Sequence, residues 1–323
     1  MVGKIIGIGT AVPEKIVDNN QIATMVETSD EWIQERTGIA KRHAATAETT
    51  VDLAALAAER AVREAGIDPS ELGLIIVSTI SPERIMPAAA CEVQARIGAK
   101  KACCFDLNAA CSGFIIALQT ASVYLESGLV KYALVIGSEC LTKVTNWADR
   151  GSCILFGDGS GAAVLTLKKG RSYLPVLHSD GSQGEALTLT SRYTQSPFTN
   201  RDVQPAFIRM NGQEVFKFAV RKVPQAIEEV LEKNALQKED ISYYVIHQAN
   251  RRIVESVSKR LGEKMEKFPT NMSDYGNTSS ASIPLLLWDM KKKGLLQTGQ
   301  KLILAGFGAG LTWGAMVLDW EDK

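Results

Sequence analysis

PSELGLIIVS (residues 69–78) and KEDISYYVIH (238–247) share one grammar, a short polar turn running straight into an apolar strand. Each follows a helical stretch: VDLAALAAERAVREAG (51–66) before the first, residues 215 to 236 before the second. The two superpose at an offset of 169 residues, 69 onto 238. A second pair, GDGSGAAVLTL (157–167) and GLTWGAMVLDW (310–320), shares Gly-xxx-Gly-Ala-x-Val-Leu at an offset of 153, 157 onto 310. Two ordered matches indicate a duplication. The smaller offset of the second assigns extra residues to the first half, which loops tolerate at little cost. The boundary falls near residue 170, giving halves 1–170 and 171–323. Strands alternating with helices imply an α/β protein of stacked layers. Its strands are buried and largely parallel, and read as continuous apolar runs such as ALVIG (133–137) and KLILAG (301–306). Residues 168–212 are rich in Ser, Thr, Gln and Gly, and read as loops and short strands over the surface, long enough to cover a site.

Composition narrows the function classes. The 323 residues are 46% hydrophobic and 22% charged, which fits a folded protein with a large core and excludes disordered, collagen-like and coiled-coil chains. Thirty-six Lys and Arg balance 36 Asp and Glu, so no whole-molecule field draws the chain onto nucleic acid. An acidic partner must be met by a local patch. MVGKIIGIGTAVPEK (1–15) reads as a first strand, no uncharged apolar stretch reaches 18 residues, and no lipidation signal stands at the C-terminus. The expectation is a cytoplasmic protein with no membrane partner. The six cysteines form neither a CxxC pair nor a Cys/His zinc spacing, so no metal site is expected and the thiols read as free.

Reactive chemistry concentrates at three points. In CCFDLNAACSGFIIALQTASVYLESG (103–128) a strand runs through small residues into a helix, with Cys111 at the junction. A helix N-terminus favours the thiolate, the nucleophilic form of cysteine; the plainer reading is a buried helix-start cysteine. Of the three histidines, His43, His178 and His247, the last ends a buried strand, where chemistry in open α/β sheets gathers. His43 and His178 read as solvated or structural, and a structural role stays open for His247. In TNMSDYGNTSSASIPLLL (270–287), Asn277 lies 166 residues after Cys111, roughly the pseudo-symmetric counterpart of the nucleophile or else a helix cap. GDGSGA (157–162) matches G-x-G-x-x-A, but a strand follows it where a dinucleotide site needs a helix. Glycines there and in GFGAG (306–310) read as close backbone packing, with the second loop presenting N–H groups to an oxyanion.

Taken together, ACSGF (110–114), HQAN (247–250), YGNTS (275–279) and GFGAGLTWG (306–314) resemble β-ketoacyl-[acyl-carrier-protein] synthase III. DEWIQERTGI (30–39) and DRGSCILFGDG (149–159) extend the likeness over the chain in the family's order. The resemblance implies a thiolase-like fold, two pseudo-symmetric βαβαβαββ halves in stacked layers, and a homodimer. It implies that Cys111 takes the acyl group of acetyl-CoA or another short acyl-CoA. Malonyl-ACP then loses CO2 while His247 Nε2 and Asn277 Nδ2 donate to the enolate; elongating relatives carry a second histidine in place of Asn277. Backbone N–H groups of Cys111 and Ala309 are the expected oxyanion donors, and no cofactor or metal is required. Ala309 replaces a glycine common at that point, which costs about 1–2 kcal/mol if its φ is positive.

By the same carry-over, Trp32, Arg36, Arg150, Asn211, Gly212 and Asn250 bind CoA and pantetheine, with Trp32 and Arg150 sandwiching the adenine. Gln248, Arg251, Arg252 and Lys217 meet the acidic acyl carrier protein. Pro224 is expected to kink or interrupt its helix. RIMPAAA (84–90) is expected to build part of the primer pocket floor, where flexible Met86 makes it adaptable. Two other readings are a type III polyketide synthase, which uses CoA-bound extenders, and an acyl-CoA-binding homologue without activity.

Overall fold

Leu74, Ile75, Ile76 and Val77 of the first quoted strand are all fully buried, and they alternate between two different cores. A strand covered on both faces must lie inside a layered body. The computed structural model describes residues 2–190, 197–198 and 206–321. Its first half contains β1 (Val2–Ala11), α1 (Asp30–Thr37), α2 (Thr50–Ala65), β2 (Leu72–Ser78), α3 (Ala89–Ile97), β3 (Cys103–Leu107), α4 (Gly113–Glu126), β4 (Tyr132–Cys140) and β5 (Asp158–Lys168). Its second contains β6 (Val176–Ser179), α5 (Gly212–Lys233), β7 (Ile241–Ile246), α6 (Arg251–Leu261), α7 (Ser282–Lys292), β8 (Lys301–Gly308) and β9 (Thr312–Asp319).

The first sheet has the order β1-β5-β4-β2-β3 and the second β6-β9-β8-β7, the same order without the last strand. No strand forms in the second half at the place of β3 among the described residues; Pro269 in that stretch has no N–H to give a ladder. Among the described strands, parallel pairing joins β2 to β3 and β4, and β7 to β8. The pairs β1/β5, β4/β5, β8/β9 and β6/β9 are antiparallel, which corrects the largely parallel expectation. The three residues between β8 and β9 explain one case, since a connection so short joins only antiparallel strands.

The layers follow from the alternation. Phe114 and Leu118 of α4 and Ile283 and Leu287 of α7 fill the centre, between Leu74, Ile76 and Val135 of one sheet and Val245, Leu302 and Leu304 of the other. Ala54, Ala58 and Val93 from α2 and α3 cover the outer face of the first sheet on Ile75, Val77 and Leu134. Val223, Ile227 and Val257 from α5 and α6 cover the second on Tyr244, Ile246 and Ile303. Helix α5 runs unbroken through Pro224, so that residue does not interrupt it as expected. Buried on the apolar side of a 22-residue helix, it is held by packing that outweighs the lost hydrogen bond. In the 168–212 segment, Leu187–Leu189 and Ile208–Met210 pair as a short ribbon that lines a cavity. Residues 191–196 and 199–205 of that segment lie outside the described residues.

Candidate active site

After β3 the chain turns through Asn108 and Ala109 into a single 3-10 turn, Ala110–Ser112, that leads directly into α4. Ala110 has φ +45°, a left-handed conformation that costs a residue with a Cβ about 1–2 kcal/mol. That bend sets Cys111, 9% exposed, at the wall of the cavity. The thiolate expected at a helix start is not the resting form. Burial pushes the thiol up to about 12, and the nearby carboxyl of Glu139 adds to the rise against opposing hydrogen bonds from Ser279 and a backbone N–H. Desolvation outweighs the helix end here, and Cys111 rests as a neutral thiol.

The offset of 169 that aligns the two strands also lays Asn277–Ser282 on Asn108–Gly113. Ser279 repeats the positive φ, at +49°, and Ser279–Ala281 repeats the 3-10 turn, leading into α7. The counterpart of Cys111 is therefore Ser280, and Asn277 corresponds to Asn108, which corrects the sequence expectation. Asn277 is gripped by its backbone: its N–H donates to Leu155 O at 2.9 Å, and its carbonyl accepts from Gly157 N at 3.1 Å. Its side chain accepts from Ser279 N at 2.9 Å. A backbone N–H only donates, so Oδ1 lies there and Nδ2 is the end available to a ligand. His247 follows β7 directly, with Nδ1 2.7 Å from Ser282 Oγ and its ring edge-on to Phe307 at 5.1 Å. Burial lowers its pKa to about 3, so the ring is neutral and Nε2 is the nitrogen left for a ligand.

Behind these turns, Glu139 accepts from Ser81 Oγ at 2.6 Å, Ile80 N at 3.1 Å, Thr79 Oγ1 at 3.2 Å and Ser280 Oγ at 3.3 Å. Burial pushes its carboxyl up to about 7 despite these donors. A third element reaches the nucleophile from the β8–β9 connection. Gly308 passes so close that a Cβ there would stand 2.7 Å from Cys111 N. Thr312 Oγ1 ties the two loops together, 2.7 Å from Ser112 Oγ and 3.1 Å from Ala309 O. Among the described residues, those with a side chain and a positive φ are Ala110, Ala235 and Ser279, so Ala309 carries none of the backbone strain foreseen for it.

Cys111, His247, Asn277, Gly308 and Ala309 all line one cavity of about 1580 Å³. Beyond Cys111 its wall is apolar, with Ile80, Leu141, Val144, Phe156, Leu189 and Ile208 packed together. Trp32, Arg36, Asn211, Gly212, Lys217, Asn250 and Arg252 also line it. Arg150 lies directly on the Trp32 ring at 4.9 Å, too close for an adenine between them, since two van der Waals steps of about 3.5 Å are needed. As the pair stands, the sandwich is closed. Asn211 and Asn250 cap α5 and α6 through their side-chain oxygens, and Asn250 Nδ2 also donates to Arg36 O at 3.1 Å.

Two expected residues are displaced from their roles. Gln248 is buried, with its amide spent on Ile246 O at 2.7 Å and Asn271 N at 3.1 Å, so it cannot meet a carrier protein. Met86 is 85% exposed and outside the cavity wall, to which its neighbours Arg84 and Ile85 contribute instead. Arg251 is also outside that wall, paired with Glu255 at 2.8 Å. His43 and His178 serve structure, bonded to Pro13 O at 2.6 Å and Glu229 at 2.8 Å.

The match to known proteins follows the same residues. Two family models match the chain: 3-oxoacyl-[acyl-carrier-protein] synthase III over residues 105–181 and its C-terminal counterpart over 231–320. The β-ketoacyl-[acyl-carrier-protein] synthase III of Clostridium acetobutylicum is 50% identical over 319 residues, 98% of each chain. The chain belongs to the β-ketoacyl-[acyl-carrier-protein] synthase III family. The crystal structure of the synthase III from Aquifex aeolicus VF5 superposes with a TM-score of 0.92 at 41% identity, over 98% of this chain and all of that one. The priming β-ketosynthase of the R1128 polyketide pathway does so at 0.93 and 35% identity, over 99% of this chain and 96% of that one. Sequence reading missed Glu139, Ser279, Ser282 and Thr312. The 169-residue offset, carried from the strands into the turns, was the signal that would have found Ser279 and Ser282.

Proposed function

We propose that Cys111, His247 and Asn277 carry out a condensation in two half-reactions, with Cys111 as the acylated residue. As a synthase III, the protein is an acyltransferase of the condensing type that initiates fatty acid synthesis, and a metal or redox cofactor has no part in the steps below. In the first step the Cys111 sulfur attacks the thioester carbonyl of a short acyl-CoA. The C–S bond to CoA breaks, and the thiol proton leaves with CoA as its thiol. N–H groups of Cys111 and Ala309 are assigned to the oxyanion of each tetrahedral intermediate. In the second step malonyl-ACP loses CO2, and the electron pair of that bond becomes an enolate whose oxygen takes hydrogen bonds from His247 Nε2 and Asn277 Nδ2. The enolate carbon then attacks acyl-Cys111, giving 3-oxoacyl-ACP and the free thiolate, which takes up a proton.

The observation that carries this reading is the convergence of one thiol and two neutral donors on a single cavity with an apolar inner wall. A neutral histidine suits an enolate, which needs a hydrogen-bond donor and not an acid strong enough to protonate it. Trp32, Arg36, Arg150, Asn211, Gly212 and Asn250 are assigned to CoA and pantetheine, with Arg150 swinging off Trp32 to admit the adenine. Arg252 and Lys217 at the rim, with Arg251 beside them, are assigned to the acidic carrier protein, where such charges raise the on-rate more than the affinity. The reading divides the labour between residues 1–170, with the nucleophile, and 171–323, with the donors. A homodimer is assigned to the edge strand β3, whose ladder partner is β2 alone, leaving its other side open to a second copy. The six free cysteines support a reducing, cytoplasmic setting.

Incubation with acetyl-CoA, digestion and mass spectrometry test the reading, with Cys111→Ser as control. An acetyl thioester on Cys111 that is consumed when malonyl-ACP is added is the expected result. Absence of label from acetyl-, isobutyryl- and longer acyl-CoA alike contradicts it.

A further inference from the structure

The geometry points to Ser282 as a positioning residue that fixes the tautomer and the orientation of His247 for the condensation step. This inference rests on the function proposed above. Ser282 opens α7 and is 2% exposed beside a ring that is 1% exposed, so water does not compete for either. Its Oγ lies 3.3 Å from Gln248 N and 2.7 Å from His247 Nδ1. Gln248 N–H is a donor only, so Oγ accepts from it. Nδ1 is the one acceptor that Oγ meets among the described residues, so pairing the buried hydroxyl proton sends it to Nδ1, which makes Nδ1 an acceptor and places the ring proton on Nε2. That is the nitrogen on which an enolate oxygen depends.

The duplication supplies a second, independent observation. The residue equivalent to His247 is Ser78, and the residue equivalent to Ser282 is Gly113. Where no ring stands, the helix opens on glycine, and a Cβ at Gly113 would come within 1.9 Å of Ser78 Oγ. The half that holds a histidine has a hydroxyl facing it, and the half without one has no side chain there. The two positions differ together, as a ring and its support.

The test uses the full-length enzyme with 15N-labelled histidine, which leaves only three imidazole rings to assign. The unaltered protein should carry the His247 proton on Nε2 with a hydrogen-bonded Nδ1. Ser282→Ala should shift Nδ1 and lower turnover with malonyl-ACP about tenfold, the effect of losing one buried hydrogen bond. Acetylation of Cys111 by acetyl-CoA should fall less than about twofold, and Ser282→Thr, which keeps a hydroxyl, should restore most of the turnover. A ring proton found on Nδ1 in the unaltered protein overturns the inference, as does a Ser282→Ala enzyme turning over within about twofold of it. The nitrogen spectrum decides even if the alanine variant fails to fold. It also separates this inference from the proposed function, which fails on its own if Cys111 takes no acyl group.

Discussion

The turns Asn108–Gly113 and Asn277–Ser282 have the same backbone and different chemistry. Both bend through a positive φ, at Ala110 and Ser279, both make one 3-10 turn, and both deliver a helix into the central layer. The first exposes a thiol to the cavity, whereas the second presents an amide and supports an imidazole. The duplicated fold supplies two equivalent bends, and side chains alone decide which offers a thiol to the cavity and which an amide beside an imidazole. Burial then acts on both in the same sense. It raises Cys111 to about 12 and lowers His247 to about 3, so the centre is uncharged and has no thiolate–imidazolium pair.

The largest effect that would sharpen this comparison comes from the point where the halves meet. Gly308→Ala puts a methyl against Cys111 N, and should cut turnover about 10²–10³-fold, the effect of losing an oxyanion donor. Steady-state kinetics would check it, at a temperature where a melting curve shows the variant folded. A smaller effect concerns the uncharged centre. Alkylation of Cys111, followed on its own peptide, should rise about tenfold per pH unit from pH 6 to 9 without levelling off. A plateau near neutrality would restore the thiolate. For His247 the consequence lies in stability: the unfolded ring binds a proton below about 6.5 and the folded ring does not, so stability falls as pH drops from about 6.5 toward 3. Denaturation at pH 7 and pH 5, with His247→Gln for comparison, measures that slope. The smallest change is Gly113→Ser, which copies Ser282 into the first half against Ser78. The crowding should lower the melting temperature by roughly 5 °C.

Strands and layers were legible in the sequence because burial on both faces writes itself as unbroken apolar runs, as in LGLIIVS and KLILAG. The duplication was legible for the same reason, through two offsets, and the motifs picked out Cys111, His247 and Asn277, which meet at one cavity. Strand direction was less so, because antiparallel β5 and β9 have the same apolar composition as their parallel neighbours. Contacts between distant residues left no local mark. Nothing around Gln248 tells that its amide is spent on Ile246 and Asn271, and nothing near Ser282 tells that it faces a ring 35 positions earlier. The ionisation of Cys111 was misread because a helix start is visible in a sequence, whereas the depth of burial that outweighs it is not.

Division of the two half-reactions between the two turns is tested most directly by His247→Ala and Asn277→Ala, each incubated with acetyl-CoA and then malonyl-ACP, with the Cys111 peptide followed by mass. The account predicts that acetyl-Cys111 forms and then persists, with malonyl-ACP left uncondensed. Failure to form acetyl-Cys111, or its conversion to 3-oxoacyl-ACP at the rate of the unaltered enzyme, would contradict it.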